Sequence, residues 1–258
     1  MHIVVCVKQV PDPSQARIDR ETGMVIREGV DKIANPFDLY ALEEALRLTE
    51  AQGGQITALS MGPPAATEVL REAISMGVDH GVLLSDRRFA GADTLATSYT
   101  LAQAIRKLED VNLIICGKQA ADGDTAQVGP GLAANLDIPH ITQVRKIVQL
   151  TKELLQVERM TDTGYEAIEV DLPAVITVVK EINEPRIPGL RGMMRAKKAE
   201  IPVWGPEEID AEETRIGLKG SPTQVWRTFE PQRHHKGEML TGTPSEQAAA
   251  LWDRLRSL

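Results

Sequence analysis

The sequence predicts an α/β protein with a doubly wound, mainly parallel sheet, an antiparallel edge and a C-terminal arm. Three observations lead there. Apolar runs rich in β-branched residues recur at 2–7 (HIVVCV), 56–61 (ITALSM), 81–85 (GVLLS), 111–116 (VNLIIC) and 174–179 (AVITVV). Helical patterns separate the first four, as parallel strands joined by crossover helices require. From His140 to Asp171 the apolar period changes to two, which predicts an antiparallel meander.

The elements follow in order. The first strand brings Cys6 and Val7 to its carboxyl end, with Lys8 just beyond. Residues 16–30, ARIDRETGMVIREGV, place a Thr-Gly turn between alternating residues and predict an inserted hairpin above the sheet. Helix one starts sharply at NPFD, where Asn35 can cap, Pro36 fits the first helical position and Asp38 lies in the electropositive first turn. Leu42, Ala45 and Leu46 keep its period, and Gly53-Gly54 stop it. A second helix runs from about Ala65 to Met76, with Val69, Leu70, Ala73 and Ile74 on one face and a stop at Gly77. Asp93 caps a third helix that carries Leu101, Ala104, Ile105 and Leu108. A fourth, with Val128, Leu132 and Leu136 on one face, can be capped by Asp124 or Thr125 and tolerates Pro130 near its start.

TQVRKIVQL, ELLQVERM and GYEAIEVD form the meander before the strand at Ala174. Beyond Ile201 come Pro202, Pro206, Pro222, Pro231 and Pro244 with little periodicity, so the division expected is a domain over 1–200 and an arm over 201–258. The arm ends in TPSEQAAALWDRLRSL. Thr243 and Glu246 make a capping-box pattern, and Ala248, Leu251, Leu255 and Leu258 make an apolar stripe. That stripe needs a covering surface, either this domain or another subunit.

Composition narrows the function classes. Lys plus Arg total 29 against 37 Asp plus Glu, a net charge of -8 without a long basic stretch, which argues against nucleic acid. Apolar runs are strand-sized and the first ten residues do not resemble a signal peptide, so the expectation is a cytoplasmic protein without a transmembrane segment. Cys6 and Cys116 are the only cysteines and read as small core residues in a reducing compartment. His234-His235 lacks an acidic or cysteine partner at metal-ligand spacing, and His140 reads as a loop or core histidine. Ser60 and Ser85 have no assignable base. No catalytic residue is assigned, and a nucleotide carrier is favoured over a hydrolase.

The segment with most chemistry is GKQAADGDTAQVGPGLAANLDIPH, residues 117–140. It is not a P-loop, because Lys118 follows the first glycine directly and has no hydroxyl neighbour. GPGLAA at 129–134 imitates a dinucleotide fingerprint but begins a dozen residues after its strand, so the match is read as accidental. What remains is a glycine loop running from Gly117 and Lys118 through Gln119 and Ala120 to a helix start whose unpaired amides, at Thr125, Ala126 and Gln127, would attract phosphate. In a doubly wound order, strands one and four flank the switch point, which brings Cys6-Val7-Lys8 and Asn35 towards Gly117–Val128. Asp122 would repel phosphate but could accept from ribose hydroxyls or an adenine amine. The alternative is that Asp122 and Asp124 only turn and cap.

These stretches resemble the β subunit of electron transfer flavoproteins over essentially the whole chain: VKQVPD (7–12), NPFDLYALEEALRL (35–48), GKQAADGDTAQVGP (117–130), LPAVITV (172–178) and NEPRIPGLRGMMRAKK (183–198) stand in that family's order. The resemblance implies a heterodimer whose α subunit carries the electron-transferring FAD. It also implies a second nucleotide in this chain, contacted by Cys6, Asn35, Pro36, Phe37, Asp38, Met61 and the Gly117–Val128 loop. Ordinary members hold AMP there; electron-bifurcating members hold FAD, which accepts hydride from NADH and splits the electrons between ferredoxin or flavodoxin and, through the α subunit, a flavin dehydrogenase. The form DGDTAQVGP, with Gly123 between the aspartates, resembles the bifurcating branch, as do RIPGLRGMMRAKK and GADTLATSY (91–99), which adds Asp93 and Thr94 to the implied contacts. Removing a carboxylate at Gly123 relieves repulsion of a second phosphate. By the same resemblance, Pro188 and Gly189 turn the chain to present Leu190 as a dehydrogenase anchor, with Arg191 and Arg195 in the accompanying basic cluster. An ordinary carrier with structural AMP and a non-redox nucleotide-binding module of the same fold are the alternatives.

Overall fold

The computed structural model of the chain describes residues 1–12, 14, 17–18, 25–26, 31–226 and 237–256. In chain order, β1 (His2–Cys6) and the short β2 (Gln9–Pro11) are followed by β3 (Arg17–Ile18), β4 (Val25–Ile26) and β5 (Lys32–Ala34). β3 and β4 pair antiparallel, as the expected hairpin requires, and β2 pairs antiparallel with β5; the Thr-Gly turn itself lies outside the described residues. Then come α1 (Pro36–Gln52), β6 (Gln55–Met61), α2 (Thr67–Met76), β7 (His80–Leu84), α3 (Thr94–Lys107), β8 (Val111–Gly117) and α4 (Val128–Leu136). The meander is β9 (His140–Leu150), β10 (Leu154–Thr161) and β11 (Gly164–Asp171). It leads to β12 (Ala174–Val178), α5 (Leu190–Lys198), β13 (Val203–Trp204) and α6 (Pro244–Arg256).

Nine strands make one sheet in the order β11-β10-β9-β12-β8-β1-β6-β7-β13. β9, β12, β8, β1, β6, β7 and β13 run parallel, and β10 and β11 follow β9 as the antiparallel edge. The order doubles back at β1, which sits between β6 and β8. Alternate residues of β1 enter opposite cores: Ile3 and Val5 pack with Leu42, Leu46 and Leu70 from α1 and α2, while Val4 and Cys6 pack with Ile105 and Leu132 from α3 and α4. Helices therefore cover both faces, which is why the central strands read as unbroken apolar runs.

The chain stays on the domain past residue 200. β13 pairs with β7, Ile209 and Ile216 are buried beside α3, and Thr223 is tied to Asp93, so separation begins only after Thr223. The stretch lacks a core of its own and adds to the existing one. Beyond it, Trp226 is 96% exposed. α6 has the expected capping box, with Thr243 N donating to Glu246 Oε2 at 2.7 Å, but none of its described residues is buried. Docking on its own domain, one of the two expected solutions, is not what the fold shows.

Candidate functional site

The two strands at the doubling-back point end side by side. Cys6 is in register with Cys116, and Gly117 with Val178 of β12. Parallel strands in this arrangement open a crevice beyond their carboxyl ends, because the connections on either side leave to opposite faces. Gly117 is required there: a Cβ would stand 2.4 Å from Asp38 Oδ1 and 2.7 Å from the Phe37 carbonyl carbon. α1 thus begins directly against the end of β8.

Asp38 fastens that contact. It accepts from Lys8 N at 2.7 Å through Oδ2 and from Asn35 Nδ2 at 2.9 Å through Oδ1. Burial pushes its carboxyl up to about 7 against the opposing pull of Asn35, the Lys8 and Gly117 amides and the Lys8 charge. Asn35 occupies the N-cap position, but its side chain does not cap α1. It donates to Gln119 O at 2.9 Å and accepts from Ala121 N at 2.9 Å, so it cross-links the helix start to the glycine loop. The expected cap is corrected for that reason: an amide has both a donor and an acceptor, and the loop offers a partner for each.

Lys8 reaches the same loop from the other side, with Nζ 2.6 Å from Asp122 Oδ1 and 2.9 Å from Oδ2. Lys118 N donates to Val178 O, and Gln119 Nε2 donates to Asp124. Asp124 and Ala126 have φ of 54°, in the left-handed region. The helix therefore begins later than expected, at Val128, with Gln127 at the N-cap and no side-chain cap; neither Asp124 nor Thr125 caps it. Among the described residues nothing accepts from the Thr125, Ala126 or Gln127 amides. A left-handed residue followed by Gln127 at φ −103° brings successive N–H groups together as an anion-binding concavity does. Gly123 has no left-handed φ and a Cβ on it would meet nothing within 4 Å, so neither backbone nor packing demands glycine there.

The structure gathers the other expected residues at the same end of the sheet. Met61 closes β6, and Thr94 opens α3 after β7. Asp93 caps α3 through Leu95 N and Ala96 N and also accepts from Thr223. Burial would raise its carboxyl, but the Ala96 amide, the Thr223 hydroxyl and amide and the Leu95 amide hold it below the usual range. It is a structural joint between α3 and the root of the arm, a role that only the fold reveals. Cys6 and Cys116 are both buried; the adjacent Cys6 thiol and burial push the Cys116 thiol well up, which makes it an inert core residue. The fingerprint-like GPGLAA lies within and just beyond the start of α4, where Gly129 abuts Thr177 and Gly131 abuts Ser98, so its glycines serve helix packing.

The basic segment is divided. Leu190, directly after Pro188 and Gly189, is the first residue of α5, and it is 74% exposed beside Ile187, Met193 and Met194. Arg191 is also exposed. Arg195 is exposed as well, but its Nη2 donates to Ile74 O at 2.6 Å and Val78 O at 3.0 Å at the end of α2. Among the described residues no His, Cys, Asp and Glu group could hold a metal, and no helix is long and apolar enough to cross a membrane.

A doubly wound α/β chain with a polar, amide-rich loop over the switch point belongs to the class of proteins that bind ligands at the carboxyl ends of their strands. The family pattern for the electron transfer flavoprotein domain matches residues 22–209. The chain is 48% identical over 258 residues to an electron transfer flavoprotein subunit beta of Thermoanaerobacterium thermosaccharolyticum, covering 100% of this chain and 98% of that relative. It is 48% identical over 258 residues to the caffeyl-CoA reductase-Etf complex subunit CarD of Acetobacterium woodii, covering 99% and 98%. Protein FixA of Azotobacter vinelandii is 48% identical over 254 residues, covering 95% and 90%. The chain belongs to the electron transfer flavoprotein family, as a β subunit acting in electron transfer.

Proposed function

We propose that the crevice at the ends of β1 and β8 holds FAD, and that the chain is the hydride-accepting half of an electron-bifurcating αβ heterodimer. The observation that carries this is the loop 119–127: three unpartnered amides, two left-handed residues and Gly123 facing open space where a side chain would fit. That donor set suits two phosphates, with Lys8 as the cation beside them and Asp122 available to hydroxyls. Bound there, FAD would supply two-electron acceptance from NADH and one-electron release to ferredoxin or flavodoxin and to the α-subunit FAD. The protein's part is to fix the loop through Asn35 and to keep Asp38 and the cysteines dry beneath it.

The exposed Ile187, Leu190, Met193 and Met194, with Arg191, Lys197 and Lys198 around them, suit docking of a flavin dehydrogenase with an acidic rim. The name of the Acetobacterium relative, a subunit of a reductase-Etf complex, supports such a partner. Extraction of nucleotides from the purified heterodimer tests the central claim. Two FAD per heterodimer, both reducible with NADH, is expected; one FAD plus one AMP would make the chain an ordinary carrier.

A further inference from the structure

Arg186, in the segment between β12 and α5, makes five hydrogen bonds to two carboxylates of α1. Its Nε lies 2.8 Å from Glu43 Oε2, its Nη2 3.2 Å from Glu43 Oε1, and its backbone N 3.1 Å from Glu43 Oε2. The outer edge of the same guanidinium meets Glu50, with Nη1 on Oε1 and Nη2 3.0 Å from Oε2. One planar fork thus holds two carboxylates of α1. The Glu43 side chain is only 4% exposed. Burial alone would raise its carboxyl, but Arg186 and Arg47 hold it below the ordinary range. Three residues earlier, Asn183 donates to Tyr40 O at 3.0 Å and Glu44 Oε2 at 2.9 Å, so 183–186 is stitched along α1.

The two ends of this arrangement do different work. The first turn of α1 carries Asn35 and Asp38, which hold the glycine loop and the ends of β1 and β8. Immediately after Arg186 comes Ile187, 91% exposed, and then the exposed face of α5. The far end of α5 is fixed independently, by Arg195 on α2 and by Arg71 on Ala196 O. The 183–186 stitching ties the near end of the face to α1, the element that borders the crevice.

We propose that Arg186 is a positioning residue: it sets the docking face at a fixed place relative to the nucleotide crevice, using α1 as the strut. Lysine is no equivalent, because its compact ammonium lacks the planar two-edged fork that spans Glu43 and Glu50. The inference rests on the docking reading of α5, and the test separates the two. Arg186→Lys and Leu190→Ala chains are assembled with the α subunit and assayed with a flavin acyl-CoA dehydrogenase with which the wild-type heterodimer exchanges electrons. Arg186→Lys should raise the KM for that dehydrogenase about tenfold, or ~1.4 kcal/mol of docking free energy, while kcat, flavin content and NADH-driven flavin reduction stay at wild-type values. A rise for Leu190→Ala alone overturns the role of Arg186; no rise in either variant overturns the docking reading and this inference with it. Loss of flavin from Arg186→Lys would make the clamp a general fold support and also overturns the proposal. Should that variant fail to assemble, Glu50→Gln, which removes the exposed half of the fork, should raise KM two- to threefold, and an unchanged KM overturns the proposal.

Discussion

Asp38 holds a carboxyl where burial disfavours its charge, and its consequence can be worked out in sign. Its folded pKa, about 7, lies above the unfolded value of 3.8. Its contribution to stability is therefore greatest below the unfolded value and is lost as pH rises towards 7, over a window of about three units worth a few kcal/mol. Urea unfolding between pH 4.5 and 8 should show the wild type losing stability relative to Asp38→Asn as pH rises; parallel profiles would show that Asp38 is already charged. Gly123 offers the complementary probe, since added atoms there meet no protein and the backbone is unstrained. Gly123→Asp should fold normally yet place a charge at the proposed phosphate position, where even at an effective dielectric of about 20 repulsion at ~4 Å is worth about 4 kcal/mol before screening. At least a tenfold loss of FAD affinity is expected at this site alone. A variant that keeps two FAD at native affinity and is still reduced by NADH would return the loop to a turn-forming role.

At the scale of elements, what was legible in the sequence is what periodicity and stop signals encode. The strands ending at Cys6, Met61 and Cys116 and the helix after NPFD were legible because each is a local pattern facing one core. Less legible was what polar side chains do once the elements meet. Asn35 carries a cap signal, but its partners are Gln119 and Ala121, more than eighty residues away; Arg186 and Arg195 share one basic run and face α1 and α2 respectively. The start of α4 is hidden in the sequence for a related reason, because the left-handed residues Asp124 and Ala126 carry no glycine to mark them. The element that most depends on such a contact is the glycine loop. Asn35→Ala removes both of its bonds to the loop and leaves a buried Asp38 oxygen with one donor fewer, at a cost of about 1 to 3 kcal/mol. Amide hydrogen exchange should accelerate at Ala121 and Asp124 while β1 and β8 remain protected; unchanged exchange would show that Lys8 and Gln119 suffice to hold the loop.

For the whole molecule, the apolar surface that the fold leaves exposed is concentrated in two places, the face of α5 and the chain beyond Thr223. Val225, Trp226, Met239, Leu251, Trp252 and Leu255 all lie in the second, and none has a covering element among the described residues. The capping box and the Glu238–Arg254 ion pair at 2.6 Å give α6 a local reason to be helical, but an isolated helix of 13 residues is marginal in water without a surface for its stripe. A second subunit is the surface that fits, because the root of the arm is anchored by Asp93 and Ser221 to the domain while none of the described residues beyond Thr223 is buried. Removing residues 240–258 should therefore weaken assembly with the α subunit and leave the crevice intact. Fully burying side chains of this size is worth about 1.5 to 3 kcal/mol each, so even after ordering costs the dissociation constant should rise at least tenfold. Titration of the truncated chain against the α subunit measures this, and an affinity equal to that of the full chain would show that α6 docks elsewhere.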